Sequence, residues 1–475
     1  ATFNELPLLL VISNQAGLVF TNAWTNYLAR ASNIDNNTSY TTIQTAADNA
    51  GSGETVVVFN GVHREQLIIT NDTFTLLADA FRLSNDNRSC VLDGTGKNYT
   101  LWLSNTKNIQ LSGFIFRNSQ SNAVLISEDS DRNYITHSLF FSNMYAGVYL
   151  EDNPSDDHYF YSNVFRGPGQ KYGLCADTAD RIRVVSNYFS GQEGSAVIAL
   201  AGVRLYEIYS NVMVGNGTAG IIFSNAAWQC RISDNIISGP AQQFGIINSG
   251  YENIIYKNLI LSNTDTGIRF LNNCDDGFVY NNTIAFNSGD GIYIDGTSII
   301  TNFVWNNLLL SNGSGAGDYQ LEIINGAGSN DIDYNLITGG AGQLTNSSGP
   351  GIIRWGALNV FQSASYLASE SNYAITNIAS AAFDAGRVIL NITEGFSGDN
   401  PDAGWKESSF FLAAIASNID SGQEYGNIGA AMMDAQSGET IWVYPGFYTN
   451  DFLVDNVNNV RLTAATFATN YDQHS

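Results

Sequence analysis

The densest ionisable stretch of this sequence is Asp156-Asp157-His158, with Glu151 and Asp152 just before it. Carboxylates beside an imidazole can hold Ca²⁺ or work as general acid and base. Asp156, Asp157 and His158 are therefore the catalytic candidates, and Asp156 and Asp157 the candidate calcium ligands. The same stretch follows Asn153-Pro154 in a polar loop where Asp is an ordinary turn residue, and the turn is the favoured reading. Arg181, Arg183 and Arg204 can form a small basic patch, against which stands plain solvated surface.

These residues are carried by a repeating element. One asparagine returns about every 24 residues: Asn163, Asn187, Asn211, Asn235, Asn258, Asn282, Asn307 and Asn335. Three residues before most of them sits a β-branched apolar residue: Val184, Ile208, Ile232, Ile255, Val279 or Val304. Later in each unit a glycine opens an alternating strand, as in Gly147-Val-Tyr-Leu and Gly291-Ile-Tyr-Ile. Short β-type runs at such a period predict a parallel β-solenoid. Successive coils stack about 4.8 Å apart, so an inward asparagine can bond amide to amide with the coils above and below. Upstream, Ser138 and Gly113 are expected at the same corner, and the glycine of each strand is expected to serve a sharp chain turn. His137 is expected to be packed beside a corner.

From about residue 32 to 338 this pattern resembles the right-handed parallel β-helix proteins of the pectate-lyase-like group. The resemblance implies an all-β solenoid with an N-terminal cap helix; it specifies fold better than activity. The group includes polysaccharide lyases, glycosidases and epimerases. Its lyases use Lys or Arg to stabilise an enolate, often beside carboxylates that hold Ca²⁺, yet the basic residues in these coils are few and scattered. Asn263-Thr-Asp265 is similar to a motif of polygalacturonase-like glycosidases, whose companion Gly-His-Gly and Arg-Ile-Lys motifs are absent, so a turn is the expected role.

Net charge is −24, with 44 acidic against 20 basic residues. Such a surface disfavours nucleic acid and anionic membranes. No run is long enough to span a bilayer; residues 8–12 form the apolar start of the chain. The widely spaced Cys90, Cys175, Cys230 and Cys274 contain no CxxC pair and read as free, mostly buried thiols. Outward positions Tyr149, Cys175, Ile198, Ile222, Ile247, Arg269 and Tyr293 are expected on one strand face, as a sugar platform, a contact for another molecule, or a bed for the C-terminal segment. Ten Asn-x-Ser/Thr sequons, among them Asn71, Asn98, Asn216 and Asn391, are possible glycosylation sites. The chain starts at Ala1 without Met, which fits a removed signal peptide or excision from something longer.

Four segments are expected. Residues 1–50 hold a leading strand and the cap helix, around Ile43, Ala46, Ala47 and Ala50. Residues 51–338 form the β-helix, and 339–410 an irregular or weakly helical segment. Residues 411–475 begin a second unit, because Ser417-Asn-Ile-Asp420 repeats Ser32-Asn-Ile-Asp35 and the match continues at an offset of 385. The expected function is a secreted or cell-surface structural protein, an adhesin or filament or array component that joins copies of itself end to end. The alternative is a polysaccharide-active lyase or glycosidase with calcium as its only candidate cofactor. The residues lean away from an enzyme.

Overall fold

The computed structural model describes residues 29–84, 89–151 and 156–338, with short breaks at 201, 225–226, 272–273, 275, 296–301, 314 and 325–329. Beyond these it describes isolated segments between 343 and 464. The opening strand Ala31–Asn33 pairs antiparallel with Thr38–Tyr40 and with Thr55–Val58. Helix α1, Ile43–Asp48, lies between them, with the Thr42 hydroxyl accepting from the Thr45 N–H as its N-cap. It buries Ile43, Ala46 and Ala47 as the spacing predicts.

This helix protects an open sheet edge. Gln44 donates through Nε2 to the Ile68 carbonyl at 2.7 Å and accepts the Ile68 N–H at 2.8 Å. Its amide thus stands in for a neighbouring strand at the end of Leu67–Ile69.

From Thr55 onward the chain winds through three strands per coil for about 11 turns. Each strand pairs in parallel with its counterpart one coil on, which builds three long sheets. Their inward positions form continuous stripes. In the first sheet Ile135, Phe160, Val184, Ile208, Ile232 and Ile255 lie in register and are fully buried. In the second, Phe116, Phe140, Phe165 and Phe189 stack face to face, with ring centroids 5.0, 4.7 and 4.6 Å apart. Nearly all the core is one cluster running the length of the solenoid.

The strand glycines have a different cause from the expected sharp turn. Gly147 and Gly220 have ordinary backbone angles within strands Ala146–Leu150 and Ala219–Phe223. A Cβ on Gly147 would lie 2.7 Å from the Phe165 ring and 2.9 Å from the Gly173 carbonyl. On Gly220 it would lie 2.5 Å from Ile237 and 2.9 Å from the Gly245 carbonyl. Close approach of the next coil, rather than φ, excludes a side chain there.

The coils also continue past the expected end at Thr338. Leu344–Ser347, Ile353–Trp355 and Val360–Gln362 each extend one of the three sheets. The Gly-rich sequence here conceals strands that are held by pairing with the coil below rather than by their own propensity. The rest of the expected irregular segment lies outside the described residues, as do residues 1–28.

A separate four-stranded sheet repeats the opening of the chain. Ala416 pairs with Tyr425 and with Val443, as Ala31 pairs with Tyr40 and with Val58. Thr440–Val443 then pairs in parallel with Arg461–Ala464, as Thr55–Val58 does with Thr75–Ala78.

Candidate functional site

The polar residues of the interior form two ladders. At the corner between the first and second sheets, Asn163 Nδ2 donates to Asn187 Oδ1 at 3.1 Å, and the Asn163 N–H donates to the same oxygen at 2.8 Å. The pattern repeats through Asn187, Asn211, Asn235, Asn258, Asn282 and Asn307 to Asn335. The second hydrogen of each Nδ2 goes to a main-chain carbonyl, such as Phe160 for Asn187 at 2.9 Å. Upstream, Ser138 takes the corner and accepts from the Phe114 N–H at 3.2 Å. Phe114, not Gly113, is therefore the corner residue two coils above Asn163; Gly113 occupies the left-handed position just before it, with φ +84°.

A second ladder, between the second and third sheets, escaped the sequence reading. It runs Asn143, Gln170, Gln192, Asn216, Gln242, Asn263, Asn287, Asn312 and Gln320. Its spacing wanders because the adjoining loops vary, and Gln alternates with Asn; a search for recurring amides of either kind would have found it. Asn263, in the Asn-Thr-Asp sequence, is thus an interior rung, fully buried. So is Asn216, whose Nδ2 is bonded to Gln242 and closed to glycosylation in the folded chain. Asn98 is exposed, Asn71 donates to the Ala47 carbonyl, and Asn391 lies outside the described residues.

The 156–158 turn divides its chemistry between inside and outside. His158 is fully buried at the corner that precedes the first sheet, where its Nδ1 accepts from the Asn133 N–H at 3.2 Å. Burial pushes its imidazole down to about 4, so it is neutral at ordinary pH. Asp156 and Asp157 face outward, and both are held by Arg181, at 2.8 and 2.9 Å. Arg204 pairs with Asp180 one coil back and Arg183 with Glu207 one coil on. The three arginines of the suggested basic patch are thus neutralised by carboxylates of neighbouring coils. A cation at Asp156 and Asp157 would have to displace the Arg181 guanidinium. His137 packs between the rings of Phe81 and Tyr161.

The outer face of the third sheet is partly covered, with Cys175 and Ile198 buried in a small cluster against Tyr145, Tyr149 and Tyr172. Register places Tyr149, Cys175, Ile198, Ile222, Ile247, Arg269, Tyr293 and Glu322 on one stripe. Toward one end Tyr145 meets Tyr149 and Tyr172 edge to face, Lys171 lies 5.0 Å from the Tyr172 ring centre, and the Tyr149 hydroxyl donates to Asp177 at 2.6 Å. Toward the other end the Arg269 guanidinium lies 5.3 Å from the Phe244 ring and 5.2 Å from Tyr293. Asp290 is buried beside them, and its Oδ1 accepts from the Tyr319 N–H at 2.6 Å. Desolvation, reinforced by Glu322, Asp318 and Asp265, pushes its carboxyl up to about 7. Burial likewise raises Glu322. With its carboxyl held up in this way, Asp290 can hold a proton near neutrality. Lys171, Tyr145, Tyr172, Phe244 and Asp290 are not separable in sequence from ordinary surface residues.

Residues 172–337 match the family described as right handed beta helix region. The chain is a right-handed parallel β-helix protein. Residues 12–201 also match the family described as periplasmic copper-binding protein (NosD). Among the described residues no group of three or more His, Cys, Asp or Glu is placed to hold a metal ion, and the four cysteines are buried and free. Solved structures with similar coils include the alginate lyase from Paenibacillus sp. str. FPU-7, 13% identical, with 68% of this chain and 95% of that one covered at a TM-score of 0.40. Pectate lyase Pel9A is 15% identical, covers 79% and 94%, and has a TM-score of 0.45. The Dettilon tailspike protein (gp208) is 16% identical, covers 63% and 60%, and has a TM-score of 0.43. No curated protein matches the sequence. Among the described residues no helix is long and apolar enough to cross a membrane.

Proposed function

We propose that this β-helix is a structural protein of the cell surface or its surroundings, an adhesin or a filament or array component that works as serial units joined end to end. The observation that carries the reading is the second cap, whose strands pair in the same register as the first at an offset of 385 residues. Such a cap closes the open end of a solenoid and starts another. The charge pattern supports the same role: Arg181, Arg183 and Arg204 are spent on binding coil to coil, which stiffens a rod and leaves them no substrate to hold. The periplasmic description of one matching family supports a site outside the cytoplasm. Deleting residues 411–475 and comparing particle size by light scattering tests the proposal. Loss of association in the truncated chain is expected; identical assemblies from both chains would refute it.

One observation favours a second reading, a polysaccharide-active enzyme. Glu322, Arg269 and Tyr293 place a carboxyl, a cation and an aromatic ring on one stripe, and the buried Asp290 precedes the strand that carries Tyr293. Incubation with alginate and pectate, with and without Ca²⁺, separates the two. The structural reading expects no turnover, whereas cleavage abolished by Asp290→Asn would replace it.

A further inference from the structure

We infer that the capped end of the solenoid carries a binding site for a small oxyanion, a carboxylate or sulfate group, centred on Arg64. A cavity of about 400 Å³ opens there, lined among the described residues by Arg30, Val62, Arg64 and Arg117. Three guanidiniums around one cavity stand out in a chain with 20 basic against 44 acidic residues.

Two of the three already have partners. Arg30 pairs with Glu65 at 3.0 Å and Arg117 with Asp93 at 3.1 Å. Those carboxylates are further committed. Glu65 Oε2 accepts the Ile43 and Gln44 N–H groups at the start of α1, and Asp93 accepts from Thr95 and Asn118. Arg64 is exposed and has no ion partner among the described residues. Three cations against two carboxylates leave one positive charge facing the cavity. Val62 lies in strand Gly61–His63 and Arg117 ends Ile115–Arg117, with Cys90–Asp93 between them. Continuing that register sets Arg64 two rungs, about 10 Å, from Arg117, with Asp93 on the rung between them, so the forked donors left for an incoming anion are those of Arg64.

The duplicated cap separates this site from the needs of folding. At the offset of 385, Arg30 and Arg64 become Ile415 and Thr449, and Glu65 becomes Asn450, while the strands keep their register. The cap strands therefore pair without these arginines, and their cluster in the first unit calls for another explanation. Anion binding supplies it.

The test is calorimetric titration of the full chain with sodium sulfate and, separately, sodium succinate, at constant ionic strength. Wild-type protein should bind at least one of the two at a single site. Arg64→Gln should weaken binding and Arg64→Glu should weaken it by about tenfold or more, with the melting temperature in anion-free buffer unchanged. Binding of sulfate alone, succinate alone or both identifies the group preferred. Absence of binding by the wild type, or equal binding by Arg64→Glu, would overturn the inference.

Discussion

At the residue scale, the corner asparagines are held against a backbone cost. The residue before each ladder asparagine has left-handed φ, including Ser186 at +54°, Lys257 at +52° and Tyr334 at +58°, a region that side chains other than Gly, Asn and Asp seldom enter. The amide ladder, with each Oδ1 accepting twice, offsets that strain. Asn235→Leu should therefore lower stability by roughly 1–3 kcal/mol in denaturant unfolding, because Asn211 loses its acceptor while buried. Unchanged stability would mean that the ladder is passive. His158 gives a pH-dependent counterpart. Its folded value of about 4 lies below the ordinary 6.5, so its contribution is complete above pH 6.5 and is lost as pH falls toward 4. The coil before carries Asn133 at this corner, and a coil further along carries Asn253. His158→Asn should thus flatten the acid loss of melting temperature across that window; an identical profile would contradict the burial argument. The first ladder was legible because one residue type recurs at one spacing. The second was not, because mixed Asn and Gln rungs stand next to loops of unequal length.

At the element scale, each strand is too short to be stable alone and is fixed by the coils on either side. That is why the three-strand period could be read from sequence while its end could not. Strand Ile353–Trp355 has no alternation of its own to announce it, and pairing with Asn330–Ile332 makes it a strand. The outer face of the third sheet was legible as a stripe, since alternation alone assigns it. The Asp290 corner was not, since burial there depends on packing across three coils. The raised value of Asp290, about 7 against 3.8, means that its contribution is complete in acid and is lost as pH rises through 7. Asp290→Asn should accordingly raise the melting temperature at pH 8 and leave it nearly unchanged at pH 3. A uniform shift at both pH values would show that packing, not ionisation, governs the site.

At the scale of the whole molecule, a net charge of −24 coexists with charges that are paired coil to coil at their densest turn. The rod is ordered internally by its amide ladders and its coil-to-coil ion pairs. The repeated strand pairing at the offset of 385 was legible, because strand, helix and glycine signals recur together in the sequence. About 11 coils at about 4.8 Å give a solenoid roughly 50 Å long, and a heterologous end-to-end contact propagates such rods without closing. The central claim is serial joining, and the distribution of particle lengths in electron micrographs tests it most directly. The full chain should give rods whose lengths step by one unit and increase with concentration, while chains lacking residues 411–475 should give a single short length. A full chain that shows one unit length at every concentration would contradict the account.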